Sequence, residues 1–265
     1  MLTKITSADN SRVKLVRKLS TRKGRLEEHA FTAEGKNLVE EILEKGIRPR
    51  FILVSDKRSD DDILKEAIQS DDIMVCELPE KIFAKLTDAE HGIGMLAVVD
   101  VTDPGYASIE KLGADDNILV LDRIQDPGNM GTLIRTAVAA GYKAIVATKG
   151  TADVYSTKVL RATVGTVFEI PIVYVGDHEE LRSILTKTGK RVVVTEVEGG
   201  VPYYEEDISK GVALVIGNEG AGVSDELKSM ADVRVTLPMK GHIESLNAAV
   251  AAAILMYESV RDQKG

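Results

Sequence analysis

The sequence predicts an α/β protein, with a C-terminal domain on a parallel sheet flanked by helices and a smaller α/β domain in front. Three observations carry this. Strand and helix signals alternate along all 265 residues. The strands of the second half, such as Ile118–Leu121 and Val212–Ile216, are continuous apolar runs, which marks strands covered on both faces. The alternation breaks once, at 101–113 (VTDPGYASIEKLG), where Pro104-Gly105 signals a turn. The domains are therefore set at 1–100 and 114–265, with 101–113 as the linker.

In the first domain, residues 9–19 read as a helix with Asp9 or Asn10 as its cap and Val13, Val16 and Leu19 on one face. Residues 34–45 read as a second helix, stopped by Gly46. Strands follow at Phe51–Val54, Ile73–Leu78 and Gly94–Val99, with helices near 61–69 and 79–86. In the second domain the strands are Ile118–Leu121, Ala144–Ala147, Ile170–Val175, Val192–Val197, Val212–Ile216 and Val233–Leu237. Helices fall at Leu133–Ala140, 157–164 and 178–188, Ser224 caps another, and Ser245 opens a long Ala-rich one to about Arg261.

Composition narrows the function classes. With 44% hydrophobic and 29% charged residues the chain is globular. Cys76 is the only cysteine, so no intrachain disulfide forms, which fits a reducing compartment. No signal-peptide pattern opens the chain, and no apolar run reaches the roughly 18 residues of a membrane span, so a cytoplasmic protein without a membrane partner is expected. His29, His91, His178 and His242 are scattered without ligand spacing, so no metal is expected. The net charge of −8 hides an asymmetry: residues 1–25 carry eight Lys and Arg against Asp9 alone, a net +7 that leaves −15 on the rest. A basic segment on an acidic body suits phosphates, with Lys14, Arg17, Lys18, Arg22, Lys23 and Arg25 as candidate phosphate contacts; a solvated helix without a partner is the alternative.

Three loops could carry chemistry. Asp126–Arg135 (DPGNMGTLIR) leaves a buried strand and enters a helix, and Arg135 sits one turn past Gly131, from where it can point back at the loop. Ile216–Gly222 (IGNEGAG) also ends a strand. It is neither a P-loop nor a GxGxxG turn, which disfavours nucleoside triphosphates and a Rossmann oxidoreductase. Leu237–Asn247 (LPMKGHIESLN) joins a strand to the last helix.

In this order the three loops resemble the signature blocks of the SpoU (TrmH) RNA ribose methyltransferases of the SPOUT superfamily. The blocks are Asn129-x-Gly131-x-x-x-Arg135, Gly217-Asn218-Glu219-Gly220-x-Gly222, and Leu237-Pro238-Met239 with Ser245-Leu246-Asn247. Residues 159–165 (VLRATVG) resemble a family segment that usually reads Arg-Ala-Ser-x-Gly, with Thr163 here in place of the Ser. Phe31–Gly35 and the helix after it resemble the substrate-binding domain that many members carry, which is similar in fold to small RNA-binding ribosomal proteins.

The resemblance implies a C-terminal trefoil knot, a homodimer, and bent S-adenosylmethionine held by the knot loops. Gly217, Leu237 and Leu246 would contact it, with Met239 and Ser245 in the same set and Thr195, before the Gly199-Gly200 turn, as a looser candidate. Arg135, Asn129, Glu219 and Asn247 are the implied catalytic set. A guanidinium stays protonated in proteins, so Arg135 is read as holding the target phosphate or ribose and stabilising the developing alkoxide. Glu219 is a candidate proton acceptor. The implied reaction is methyl transfer to a ribose 2'-hydroxyl of structured RNA, ribosomal ahead of transfer RNA. The alternative is a catalytically silent RNA-binding or ribosome-assembly protein that keeps the fold.

Overall fold

The computed structural model describes residues 2–58, 73–87, 94–240 and 245–261. The chain forms two compact units, Met1–Thr102 with Tyr155–Gly165, and Asp103–Val154 with Thr166–Gly265. The helix expected near 61–69 lies outside the described residues.

The first unit runs β1 (Leu2–Lys4), α1 (Ser11–Leu19), α2 (Arg22–Glu28), β2 (Ala30–Glu34), α3 (Lys36–Glu44), β3 (Phe51–Ser55), β4 (Val75–Leu78), α4 (Glu80–Phe83) and β5 (Met95–Asp100). Its sheet has the order β1-β4-β3-β5-β2, parallel at β1–β4–β3 and antiparallel at β3–β5–β2. Asn10 caps α1 by accepting from Arg12 N, and Val13, Val16 and Leu19 turn into the core beside Phe51, Leu53 and Phe83. Periodicity missed α2, whose buried residues are Gly24 and Arg25 in place of an apolar stripe. Gly24 is required there, because a Cβ would lie 1.9 Å from Lys18 O.

The second unit holds α5 (Ala107–Glu110), β6 (Ile118–Leu121), α6 (Pro127–Ala139), β7 (Ala144–Ala147), β8 (Ile172–Tyr174), α8 (His178–Thr188), β9 (Arg191–Thr195), β10 (Val201–Pro202), β11 (Val212–Ile216), α9 (Asp225–Lys228), β12 (Val233–Thr236) and α10 (Ala248–Glu258); α7 (Thr157–Thr163), between β7 and β8 in sequence, clusters with the first unit. Its seven strands are all parallel, in the order β10-β12-β9-β11-β6-β7-β8. Core side chains such as Val120, Val146, Val194 and Val215 pack with Leu181 and Ile184 of α8. Within the first unit, α7 lies on β2, and Arg161 Nη2 forms an ion pair of 2.5 Å with the buried Glu34 carboxylate.

Two expectations change. Asn247, not Ser245, caps α10: its side-chain oxygen accepts from Ala249 N and Val250 N, while Ser245 is exposed coil two residues ahead. The α10 helix also ends at Glu258, short of Arg261. Within 101–113, Ile109 of α5 is buried and Tyr106 Oη donates to the Glu180 carboxylate at 2.8 Å, so this segment packs onto the second unit from Asp103 onward.

Candidate functional site

Register fixes where the loops emerge. Ile216 of β11 pairs with Leu121 of β6, and Val215 pairs with Val194 of β9. These strands end at one level, so the loops that follow them meet along the carboxyl edge of the sheet, where open α/β sheets bind ligands. Thr195, Gly217, Leu237, Met239, Ser245 and Leu246 all line one cavity there, of about 460 Å³. That lies inside the roughly 300–1,000 Å³ range of small-molecule sites.

Each loop has a local cause. Asp126 accepts from Asn129 N at 2.7 Å and caps α6, with Pro127 at the first helical position. Asn218 and Gly222 exchange two backbone hydrogen bonds of 3.0 and 2.9 Å, which folds residues 217–222 into a tight turn. Gly217 admits no side chain, because a Cβ would lie 2.3 Å from Gly222 C and from Val223 N. Thr195 Oγ1 donates to Val215 O at 2.9 Å, tying the end of β9 to β11.

A polar chain runs beside the cavity. Glu219, itself on the wall, accepts from Asn129 Nδ2 at 3.0 Å, Asp126 N at 3.2 Å, Gln125 N at 3.3 Å and Asn218 Nδ2 at 3.3 Å. Asn129 Oδ1 in turn accepts from Asn247 Nδ2 at 2.8 Å. Burial pushes the Glu219 carboxyl up, but the N–H donors from Asn129, Asp126 and Gln125 outweigh it and hold the group below the usual carboxylate range. Three of the four candidate catalytic residues thus form one network. Arg135 stands outside it, exposed on α6 and without a hydrogen-bond or ion-pair partner among the described residues. Six residues separate it from Asn129, about 9 Å of helix rise.

Of the basic candidates, Lys14, Arg17, Lys18, Arg22 and Lys23 are exposed. Arg25 is not: it is buried and donates to Leu19 O at 2.8 Å, satisfying a carbonyl at the end of α1 instead of facing a ligand. Among the described residues no His, Cys, Asp and Glu group is placed to hold a metal, and no helix is long and apolar enough to cross a membrane.

Sequence reasoning passed over Asp122, Arg123 and Thr148, which grip the 217–224 loop from behind. The available signal was an acidic residue directly after the buried run ILVL, at the carboxyl edge of a parallel strand.

An all-parallel sheet with a glycine-lined cavity over its carboxyl edge defines a nucleotide- or cofactor-binding α/β domain, and comparison with known proteins names the family. Residues 116–257 match the SpoU rRNA Methylase family, and residues 10–97 match the MRM3-like substrate binding domain. The chain is 40% identical over 259 residues to 23S rRNA (guanosine(2553)-2'-O)-methyltransferase RlmP of Bacillus subtilis (strain 168), covering 96% of this chain and 97% of that one. Its fold matches the AdoMet-bound rRNA methyltransferase from Sinorhizobium meliloti with a TM-score of 0.87 at 31% identity, over 100% of this chain and 99% of that one. It matches the SpoU methyltransferase AviRb from Streptomyces viridochromogenes, solved with AdoMet, with a TM-score of 0.88 at 28% identity, over 96% and 98% of the two chains. The chain belongs to the SpoU rRNA methylase family.

Proposed function

We propose that this chain transfers a methyl group from S-adenosylmethionine to a ribose 2'-hydroxyl of ribosomal RNA. The observation that carries it is one cavity, lined by all six candidate cofactor residues, that shares Glu219 with the Asn129–Asn247 network. The RlmP and Sinorhizobium relatives support ribosomal RNA as the substrate.

The cavity suits the methyl donor. Leu237, Met239 and Leu246 give it apolar walls for a purine, and Gly217, where a Cβ would collide with the backbone of Gly222 and Val223, lets the 217–222 turn close tightly along the cavity wall. Of its carboxylates, Glu196 is paired with Lys228 at 3.4 Å and Arg234 at 3.7 Å, which leaves Glu198 and Glu219 without a cation among the described residues to face a sulfonium. When bound, the donor supplies an electrophilic methyl. Residues 217–222, 237–239 and 245–246 hold it. Asn129 and Asn247 orient the ribose, and Arg135 binds the neighbouring phosphate and stabilises charge on the 2'-oxygen. The depressed carboxyl of Glu219 makes it an orienting acceptor and a weak base.

The first unit grips the RNA, a role supported by its substrate-binding-domain match and by exposed cations on α1 and α2. The path from β11 through β12 to α10 is read as the family's trefoil knot, since β12 follows β11 in sequence but lies beyond β9 in the sheet. The working form is a cytoplasmic homodimer. Val250, Ile254 and Tyr257 recur at helical spacing along α10 and are 38–52% exposed, an apolar stripe suited to a second copy.

The test is to incubate the purified chain with labelled S-adenosylmethionine and ribosomal RNA, then map ribose methylation. The nucleotide equivalent to guanosine 2553, the RlmP target, comes first. Methylation confined to transfer RNA, or none on either RNA, would refute the proposal. Light scattering reads the dimer.

A further inference from the structure

We propose that Asp122 and Arg123 form a latch that holds the 217–224 loop in its cofactor-binding shape; both are positioning residues, since neither lines the cavity. The inference rests on reading that cavity as the methyl-donor site.

Asp122 follows β6 and is fully buried. One carboxylate oxygen accepts from Thr148 Oγ1 at 3.0 Å and Arg123 Nε at 3.3 Å, the other from Ser224 N at 2.8 Å and Arg123 Nη2 at 3.1 Å. Arg123 Nη2 also donates to Gly222 O at 3.3 Å, and Arg123 O accepts from Asn218 Nδ2 at 2.8 Å. Asn218 Oδ1 then accepts from Gly220 N at 3.0 Å and Ala221 N at 2.9 Å. The loop is therefore tied at Asn218, Gly222 and Ser224 to two adjacent residues.

Arg123 has φ +57°, a left-handed conformation that is unfavourable for an L side chain with a Cβ. Such a residue persists when its surroundings over-determine it. Here its N–H reaches Thr148 Oγ1 at 3.1 Å, its carbonyl reaches Asn218, and its side chain folds back on Asp122.

A buried carboxylate that loses its donors is strongly destabilised. If the loop moved away, Ser224 N–H would leave with it and Asp122 would lose one of its donors. The loop is thereby held ready before the cofactor arrives, which removes an ordering cost from binding. Burial pushes the Asp122 carboxyl up, and Arg123, the Ser224 N–H and Thr148 outweigh it, so the group stays below the usual range and charged.

The test uses the full chain with D122N, T148V and T148S. Hydrogen exchange without ligand reads the latch directly: the Gly220 and Ala221 amides should exchange at least about tenfold faster in D122N, with T148V intermediate and T148S near wild type. Calorimetry should show S-adenosylmethionine binding weakened about tenfold in D122N and a few-fold in T148V, with the KM for RNA unchanged. Unchanged amide exchange in folded D122N or T148V, or equal losses for cofactor and RNA, overturns the latch. If D122N does not fold, T148V against T148S decides. Faster exchange in a chain whose wild type binds no S-adenosylmethionine supports the latch and sinks the functional reading instead.

Discussion

Asn247 donates to the side-chain oxygen of Asn129 at 2.8 Å across 118 residues of sequence. The same Asn247 caps α10 through its own oxygen. One side chain thus has two separable jobs. N247D keeps the capping oxygen, loses the donor to Asn129 and adds a charge near Glu219. N247A loses both jobs. We predict that N247A lowers the melting temperature by roughly 2–4 °C, the effect of a lost cap of about 1 kcal/mol, while N247D melts within about 1 °C of wild type. Both should lose at least about tenfold in methyl transfer, one hydrogen bond's worth of positioning. Full turnover by N247D would remove the Asn129–Asn247 link from the mechanism.

Arg135 has no partner among the described residues, so it is free to bind a phosphate or ribose oxygen. R135A should lower kcat by about a hundredfold or more, as loss of a transition-state charge stabiliser does. Its affinity for S-adenosylmethionine, read by calorimetry, should stay within about twofold, because the cavity lining does not include it. R135K should recover only part, since an ammonium lacks the planar fork. Near-normal turnover by R135A excludes the role.

The legible parts of this chain were those whose signal is local. The buried runs Ile118–Leu121, Ala144–Ala147 and Val212–Ile216 are strands β6, β7 and β11 within the bounds that sequence sets, and α8 spans 178–188 as read. Short or unpatterned elements were not legible: β1 has three residues, β10 has two, and α2 buries a glycine and an arginine. Helix α6 starts at Pro127, six residues before Leu133, where the sequence pattern opens it: its buried face already begins at Met130, but its first turn is set by the Asp126 cap and the glycines of the loop. The site followed the same division. Gly217, Leu237 and Leu246 were legible as a motif set, whereas Arg25 was misread because charge alone does not tell an exposed cation from one turned onto the Leu19 carbonyl.

The pH dependence follows from Glu219. Burial raises its carboxyl, but the N–H donors lower it further, so the folded group ionises below the unfolded one. Its contribution to loop order is present above the ordinary carboxylate pKa of about 4.3 and is lost as pH falls through the depressed folded value. Cofactor affinity should be flat from about pH 5.5 to 8 and fall only on the acid side of the ordinary carboxylate range. Isothermal titration at several pH values checks this. An inflection in methyl-transfer rate at about pH 6–7 that disappears in E219Q would instead make Glu219 a general base of raised pKa.

The basic candidates on α1 and α2 are not equal. Lys18 is held by Glu27 at 3.0 Å and Glu28 at 2.6 Å, Lys14 by Asp9 at 3.3 Å, and Lys23 by Glu27 at 3.7 Å. Arg17 and Arg22 are exposed and carry no ion pair with a described residue, so they offer undivided charge to a phosphate. Each phosphate contact contributes about 0.7–0.9 to the slope of log affinity against log salt. R17A with R22A should therefore flatten that slope by about 1.5, and K18A should change it less, because its charge is already shared. Filter binding to ribosomal RNA fragments between about 50 and 200 mM salt covers the range in which such slopes are read. A double variant whose slope matches wild type would place the RNA contact on another face of the first unit.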